Sequence, residues 1–450
     1  MLGSIAPCCW CRALARSDIG EAIVTVTIPP PAPEIEDERT VEERIAELEA
    51  LIKEARQRAR RRRAAYAAVV LVALAGVVAG TGGIGGGGVD VDASVAQGSP
   101  ASATNTSRAG QAPLAASPLY ISAIQVNPKR PNIVYASTLL TDLDKRSVLK
   151  STDGGQTWSA ADTGLTEPAA PAGERDLRVD ALALDPRSPN LLYAGTGNGV
   201  YKTSDGAKTW KLASNGMDLP TGHRHRLAEG SIWTIAIDSV HTSTVYAAGR
   251  GGVWKTTTGG ATWKHVLRNR VISLAVDPRR PNTVYGSGTR VAPHRASLYK
   301  TVDGGGRWRA IGPPGLLDNY FAHPIVVDRR APGTIYAGGS RGLFASADKG
   351  RTWKKVLSGN VQAIALDPSR ANVLYVGTGR RGIVKSEDGG KTWSAPRLAG
   401  RSISSISSIA IARANPETIY AGVQWKTAPQ TWKGGMLTST DSGATWRRVF

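Results

Sequence analysis

The sequence predicts an all-β fold over residues 118–450, a seven-bladed β-propeller of four-stranded blades, preceded by a cytoplasmic helix and one transmembrane helix. Three observations predict the propeller. The octad Ser151-Thr152-Asp153-Gly154-Gly155-Gln156-Thr157-Trp158 returns six times, ending at Trp210, Trp263, Trp308, Trp353, Trp393 and Trp446. One tyrosine recurs per repeat, at Tyr135, Tyr193, Tyr246, Tyr285, Tyr336, Tyr375 and Tyr420. The Trp-to-Trp spacing of 40 to 53 residues has room for four short strands, as a propeller blade requires.

Within a repeat each element has its own signal. Leu182-Ala183-Leu184 is a short apolar strand closed by the turn residues Asp185-Pro186, and Leu191 to Gly195 is a second strand. After a Gly-rich turn, Val200 to Thr203 leads into the polar octad, and Trp210 opens the fourth strand with a large apolar surface. The octad reads as a hairpin turn: its carboxylate accepts backbone N–H bonds and its glycines supply positive φ. Asp205, Asp303, Asp348, Asp388 and Asp441 hold the place of Asp153, and Thr258 replaces it once. These six aspartates are expected to be structural, with no metal or cofactor bound.

The pattern Ser-x-Asp-x-Gly-x-Thr-Trp resembles the Asp-box, or sialidase-type (BNR), repeat. Repeats one, five, six and seven match every fixed position, while Thr203 with Ala207, Thr256 with Thr258, and Thr301 with Arg307 mark the departures. Propellers of this type occur in bacterial sialidases, xyloglucan hydrolases, the sortilin ectodomain and photosystem II assembly factors. A single seven-bladed copy behind a short N-terminal segment is most similar to the assembly-factor type. The resemblance implies the fold; function must come from a site on it.

Residues 1–63 are expected to be cytoplasmic, with a juxtamembrane helix over 41–63 whose apolar seam runs through Val41, Ile45, Leu48, Ile52, Ala55 and Ala59. Cys8, Cys9 and Cys11 are the only cysteines, so the propeller carries no disulfide framework. Arg60 to Arg63 stop at Ala64, and no charge follows through Ile84, which reads as a transmembrane helix over 64–84. Arginines on its N-terminal side place the propeller across the membrane, periplasmic or extracellular. A cleaved signal peptide is the rival reading of the same apolar run. Residues 85–117, rich in Gly, Ala and Ser, read as a flexible stalk.

Residues 1–63 balance acidic against basic side chains and the stalk holds one Arg against two Asp, so residues 118–450 carry a net charge of +21 and the whole chain +20. Such an excess favours an anionic partner, and nucleic acid is disfavoured because no aromatic residues interleave the basic ones. The strands of a blade alternate in direction, so the Asp-box turns share one face with the Asp-Pro turns. The longer insertions fall on the opposite face, where function usually sits. There the turns between second and third strands carry Arg250, Arg290, Arg341, Arg380 and Arg381, an arginine rim suited to carboxylate, phosphate or sulfate. Arg224, Arg226, Arg295, Tyr320, Trp425 and Trp432 are further candidates on the same face. Alternation of His223 and His225 with arginine disfavours a metal.

For catalysis, the sialidase resemblance implies an arginine triad, a Tyr-Glu pair and an Asp acid, and the Phe/Tyr-Arg-Ile-Pro signature is absent. A xyloglucan-hydrolase resemblance implies two carboxylates across a cleft, usually between two propellers. Asp142, Asp144, Glu174 and Glu229 are the few acids in the insertions. No catalytic residue is assigned. The expectation is therefore a membrane-anchored propeller that binds an anionic protein or polyanion, as an assembly or maturation platform. The alternative is a glycoside hydrolase or glycan-binding protein.

Overall fold

In the structure, a computed structural model, the described residues are 120–139, 147–165, 178–219, 231–289, 296–312, 324–379, 381–395, 397–398, 403–428 and 431–449. They form seven antiparallel sheets arranged as the blades of a propeller. The antiparallel strands of each blade follow chain order from the first outward, so topology is local and every turn between them joins neighbours. The innermost strands are Tyr120–Val126, Val179–Leu184, Ile232–Ile237, Arg270–Val276, Ile325–Val327, Val361–Leu366 and Ile403–Ile411. The juxtamembrane helix, the apolar segment 64–84 and the stalk lie outside the described residues. No described helix is long and apolar enough to cross a membrane.

Polar side chains stitch the innermost strands together. Ser122 Oγ donates to the Val179 carbonyl at 2.7 Å and Gln125 Nε2 to that of Leu182 at 3.0 Å. Ser405 Oγ and the Ile406 amide both donate to Gln362 Oε1, at 3.0 and 3.1 Å. Such bonds satisfy the strand edges that would otherwise face the central channel.

The repeating tyrosine explains how one blade holds the next. Tyr193 is fully buried, and its hydroxyl donates to the Gly259 carbonyl of the following Asp-box at 3.1 Å. Tyr246 does the same to Gly304 at 3.2 Å and Tyr375 to Ser442 at 2.8 Å. A lysine from the third strand joins the same acceptor: Lys202 reaches Gly259 at 2.7 Å and Lys255 reaches Gly304 at 2.8 Å. That lysine also lies over the tyrosine ring, 5.7 Å from the centroid in the Lys202–Tyr193 pair. The ring closes with Tyr420 of blade seven donating to Gly154 of blade one at 3.2 Å.

One blade departs from the expected four strands. In blade six the fourth strand is reduced to a bridge between Lys385 and Ser394. Arg397–Leu398 then pairs in parallel with Thr445–Arg448 on the outer edge of blade seven. Ala395-Pro396 follows the bridge, and a proline has no N–H with which to continue the ladder.

The Asp-box turns are built as the octad requires. Asp205 accepts from the amides of Lys208 and Thr209 at 2.9 and 3.0 Å, and from the hydroxyls of Thr203 and Thr209 at 2.7 and 2.6 Å. Where Thr258 stands instead, a hydroxyl takes the Thr262 amide at 3.1 Å. Hydrogen bonds to the charged form hold these carboxyls low. The Thr445 hydroxyl and amide, with Ser439, bring Asp441 from 3.8 to about 2, and Thr352 and Thr392 pull Asp348 and Asp388 lower still. A pKa depressed in the folded state adds stability above the unfolded value and loses it as pH falls through the folded one. The melting temperature should therefore drop steeply as pH falls from about 4 towards 2. A chain carrying Asp348→Asn, Asp388→Asn and Asp441→Asn should melt lower at neutral pH but with a flatter acid limb. Parallel profiles for the two proteins would exclude these carboxylates as the acid-labile groups.

Candidate functional site

Six of the seven innermost strands carry a β-bulge near the end that faces the insertions. The pairing register skips one residue at equivalent positions, Ser122, Asp180, Trp233, Ile272, Gln362 and Ser407, and the blade-seven strand has a second skip at Ser404. A bulge turns its extra side chain out of the regular alternation. All six residues are partly exposed, whereas the residues just before them, Ile121, Val179, Ile232, Val271, Val361 and Ile406, are buried in the blade cores. Equivalent positions of adjacent blades thus present a ring of side chains at one end of the channel.

The most distinctive chemistry of this ring lies on blades two to four. Arg178 Nε donates to Asp180 Oδ1 at 2.7 Å, which pairs the carboxylate with a guanidinium. The Arg270 guanidinium lies 4.8 Å from the centre of the Trp233 ring. Burial, followed by the nearby charge of Arg250, pushes Arg270 below its ordinary pKa; a guanidinium stays charged regardless. Arg270 Nε is buried with no partner. The close approach of the backbones depends on two glycines. A Cβ on Gly249 would stand 1.7 Å from the Ser231 carbonyl oxygen, and one on Gly288 would stand 2.0 Å from that of Arg270.

A partly exposed indole with a charged fork over it, and a carboxylate at the equivalent position of the preceding blade, offer a flat apolar surface and polar groups on one ring. That combination suits an amphipathic ligand such as a sugar, which has apolar ring faces and equatorial hydroxyls. Among the described residues no group of three or more His, Cys, Asp or Glu could hold a metal ion.

The sequence-predicted residues fall differently. Arg250, Arg341 and Arg381 are exposed, on the second-to-third turns of blades three, five and six. The Arg250 amide is 3.4 Å from the Ser231 carbonyl, and the Arg381 amide donates to the Thr378 hydroxyl at 3.0 Å. Arg290, Arg380, Arg224, Arg226, Arg295 and Tyr320 lie outside the described residues, as do the insertion acids Asp142, Asp144, Glu174 and Glu229. Trp432 belongs to the described strand Thr431–Ser439. Trp425 is buried in the core of blade seven, with Arg448 4.7 Å from its ring centre. The Asp-box aspartates sit in their turns at the opposite face. Sequence reasoning missed Trp233 and Arg270. The available signal was an aromatic residue at a strand position where other blades carry Ser122, Asp180, Ile272, Gln362 and Ser407.

Comparison with known proteins agrees with the fold and changes the functional reading. A family model described as the BNR/Asp-box repeat matches residues 149–160. A xyloglucanase of Hypocrea jecorina is 27% identical over 289 residues, 52% of this chain and 32% of that protein. A xyloglucanase of a Paenibacillus species is 28% identical over 288 residues, 52% of this chain and 26% of that protein. The chain therefore spans about a third or less of the length of these relatives. Among solved structures, YCF48 from Cyanidioschyzon merolae aligns at a TM-score of 0.48 and 15% identity, covering 72% of this chain and 95% of that one. The chain is a seven-bladed propeller bearing Asp-box repeats.

These relatives overturn the expected binding platform for an anionic protein or polyanion. All six curated relatives at this level carry the name xyloglucanase. The physical reason for the miss is that net charge reports where polyanions are attracted, and a neutral polysaccharide leaves no mark on it.

Proposed function

We propose that this propeller belongs to a glycoside hydrolase of xyloglucanase type, acting on xyloglucan or a related β-glucan. The observation that carries the reading is the set of xyloglucanase relatives, which match about half of this chain. The ring of bulged residues supports it. Trp233 supplies a surface for a pyranose face, and Arg270 holds the indole in place. Asp180, hydrogen-bonded to Arg178, is placed to serve as the carboxylate that acts on the anomeric centre or on water. Glycoside hydrolysis needs a second carboxyl group to protonate the leaving oxygen. Asp142, Asp144, Glu174 and Glu229, the insertion acids of the sequence, are the candidates.

The test is release of reducing ends from xyloglucan by the full-length chain. Asp180→Asn should lower kcat by at least ~100-fold with KM little changed. Trp233→Ala should raise KM several-fold and leave kcat near wild type. Saturable binding of xyloglucan without cleavage would reduce the reading to a glycan-binding protein. Neither binding nor cleavage would overturn it.

A further inference from the structure

The face that carries the Asp-box and Asp-Pro turns holds a feature that the xyloglucanase reading does not use. A cavity of about 300 Å³ there is lined by Arg279, Arg329, Arg330, Pro368, Ser369 and Arg413. The four arginines come from the first-to-second turns of blades four, five and seven, and blade six contributes Pro368-Ser369. We propose that this cavity is a binding site for a small multivalent oxyanion of the phosphate or diphosphate class. The proposal concerns one compact anion on the face opposite the arginine rim, and it stands independently of the polysaccharide reading.

The turns explain why the arginines converge. Each of blades four to six has a buried aspartate that caps its own turn. Asp277 takes the Arg279 amide at 2.9 Å, Asp328 takes that of Arg330 at 2.7 Å, and Asp367 takes that of Ser369 at 2.8 Å. The second oxygen of Asp367 is held by Arg370 Nε at 2.9 Å. One oxygen of each capping carboxylate is thus directed at its own turn's backbone. Among the described residues none of them forms an ion pair with Arg279, Arg329, Arg330 or Arg413. In blade seven Ala412 stands where the capping aspartate would be, and among the described residues Arg413 forms no ion pair with Glu417, the one acid of its turn.

Two of the guanidinium groups are fixed in place from behind. Arg279 Nε donates to the Arg329 carbonyl at 3.0 Å, and Arg330 Nε donates to the Pro368 carbonyl at 3.1 Å. Those bonds use Nε, so the two terminal nitrogens of each fork remain for a ligand. A guanidinium fork matches the spacing of two oxygens on one phosphorus or sulfur. Four like charges around one small cavity repel one another, and an anion of two or more charges converts that repulsion into attraction. The volume is at the small end of ligand clefts, roughly 300–1,000 Å³, which fits a diphosphate better than an extended chain.

The experiment is titration calorimetry of the full-length chain with inorganic phosphate and with diphosphate, at ionic strength matched with chloride. Saturable binding of about one anion per chain is expected, with diphosphate tighter than phosphate and both weakened by added salt. Arg329→Ala with Arg413→Ala removes two side chains that make no hydrogen bond in the structure. This variant should fold normally and bind diphosphate at least tenfold more weakly. Arg250→Ala with Arg341→Ala, on the opposite face, should bind as wild type. Heats indistinguishable from the chloride control, or binding that survives in the Arg329/Arg413 variant, would overturn the site. Xyloglucan turnover in the Arg329/Arg413 variant should equal that of wild type, so failure of one reading leaves the other intact.

Discussion

Replacing Tyr420 with alanine should destabilise the propeller by about 3–5 kcal/mol, the cost of emptying a buried aromatic site. Tyr420 is 2% exposed and packs with Ile121, Ile124, Val134, Trp158 and Met436, so its ring lies in the seam between the last blade and the first. Its hydroxyl donates to Gly154 at 3.2 Å, and a Cβ on Gly155 would stand 3.4 Å from its ring. No strand is shared across that seam in the described sheets, because every strand paired in blade seven comes from residues 397–448 and none from blade one. Closure must therefore rest on side-chain packing and on bonds of this kind. Tyr420→Phe keeps the packing and removes one hydrogen bond, so it should cost only about 1 kcal/mol. Urea unfolding of the two variants separates the contributions. An alanine variant that loses less than the phenylalanine variant would show that the seam is held elsewhere.

Gly288→Ala should have the second large effect, near the upper end of the ~1–3 kcal/mol that overpacking costs. The obstacle is a backbone carbonyl, that of Arg270 at 2.0 Å, with the Val271 Cα at 2.9 Å behind it, so no side-chain rotamer can relieve it. The first two strands of blade four must part at the point where Arg270 lies against Trp233. The variant should therefore also lose affinity for xyloglucan, with KM rising as in Trp233→Ala. Gly197→Ala is the control: nothing lies within 4 Å of the added Cβ, and the change should fall within about 0.5 kcal/mol. Equal stability for the two alanine variants would mean that the first two strands of blade four separate at little cost.

Much of the fold was legible because its signals are local. The octad encodes a turn whose bonds are made within four residues, as in Ser151 Oγ accepting the Gly155 amide at 2.8 Å. Such a motif forms the same way in every copy, and seven copies leave little freedom of architecture. The tyrosine was equally visible as a repeat, although its task of bonding the next blade's turn was not. The fourth strand of blade six was misread because its tryptophan repeat is intact; Pro396, three residues after Trp393, was the warning.

By itself, then, the sequence determined the blade number, the Asp-box turns, the buried Tyr and Trp positions and the basic balance, all set by neighbours in the chain. The tertiary structure alone decided which side chains meet. Trp233 and Arg270 come from adjacent blades, and a one-residue bulge that no composition reveals turns Asp180 and Trp233 out of the strand alternation. Arg279, Arg329 and Arg413 are scattered over more than a hundred residues and line one cavity because the blades bring equivalent turns round a common axis. Repetition fixes each residue's place within its blade, and ring closure then makes neighbours of residues that the chain keeps far apart.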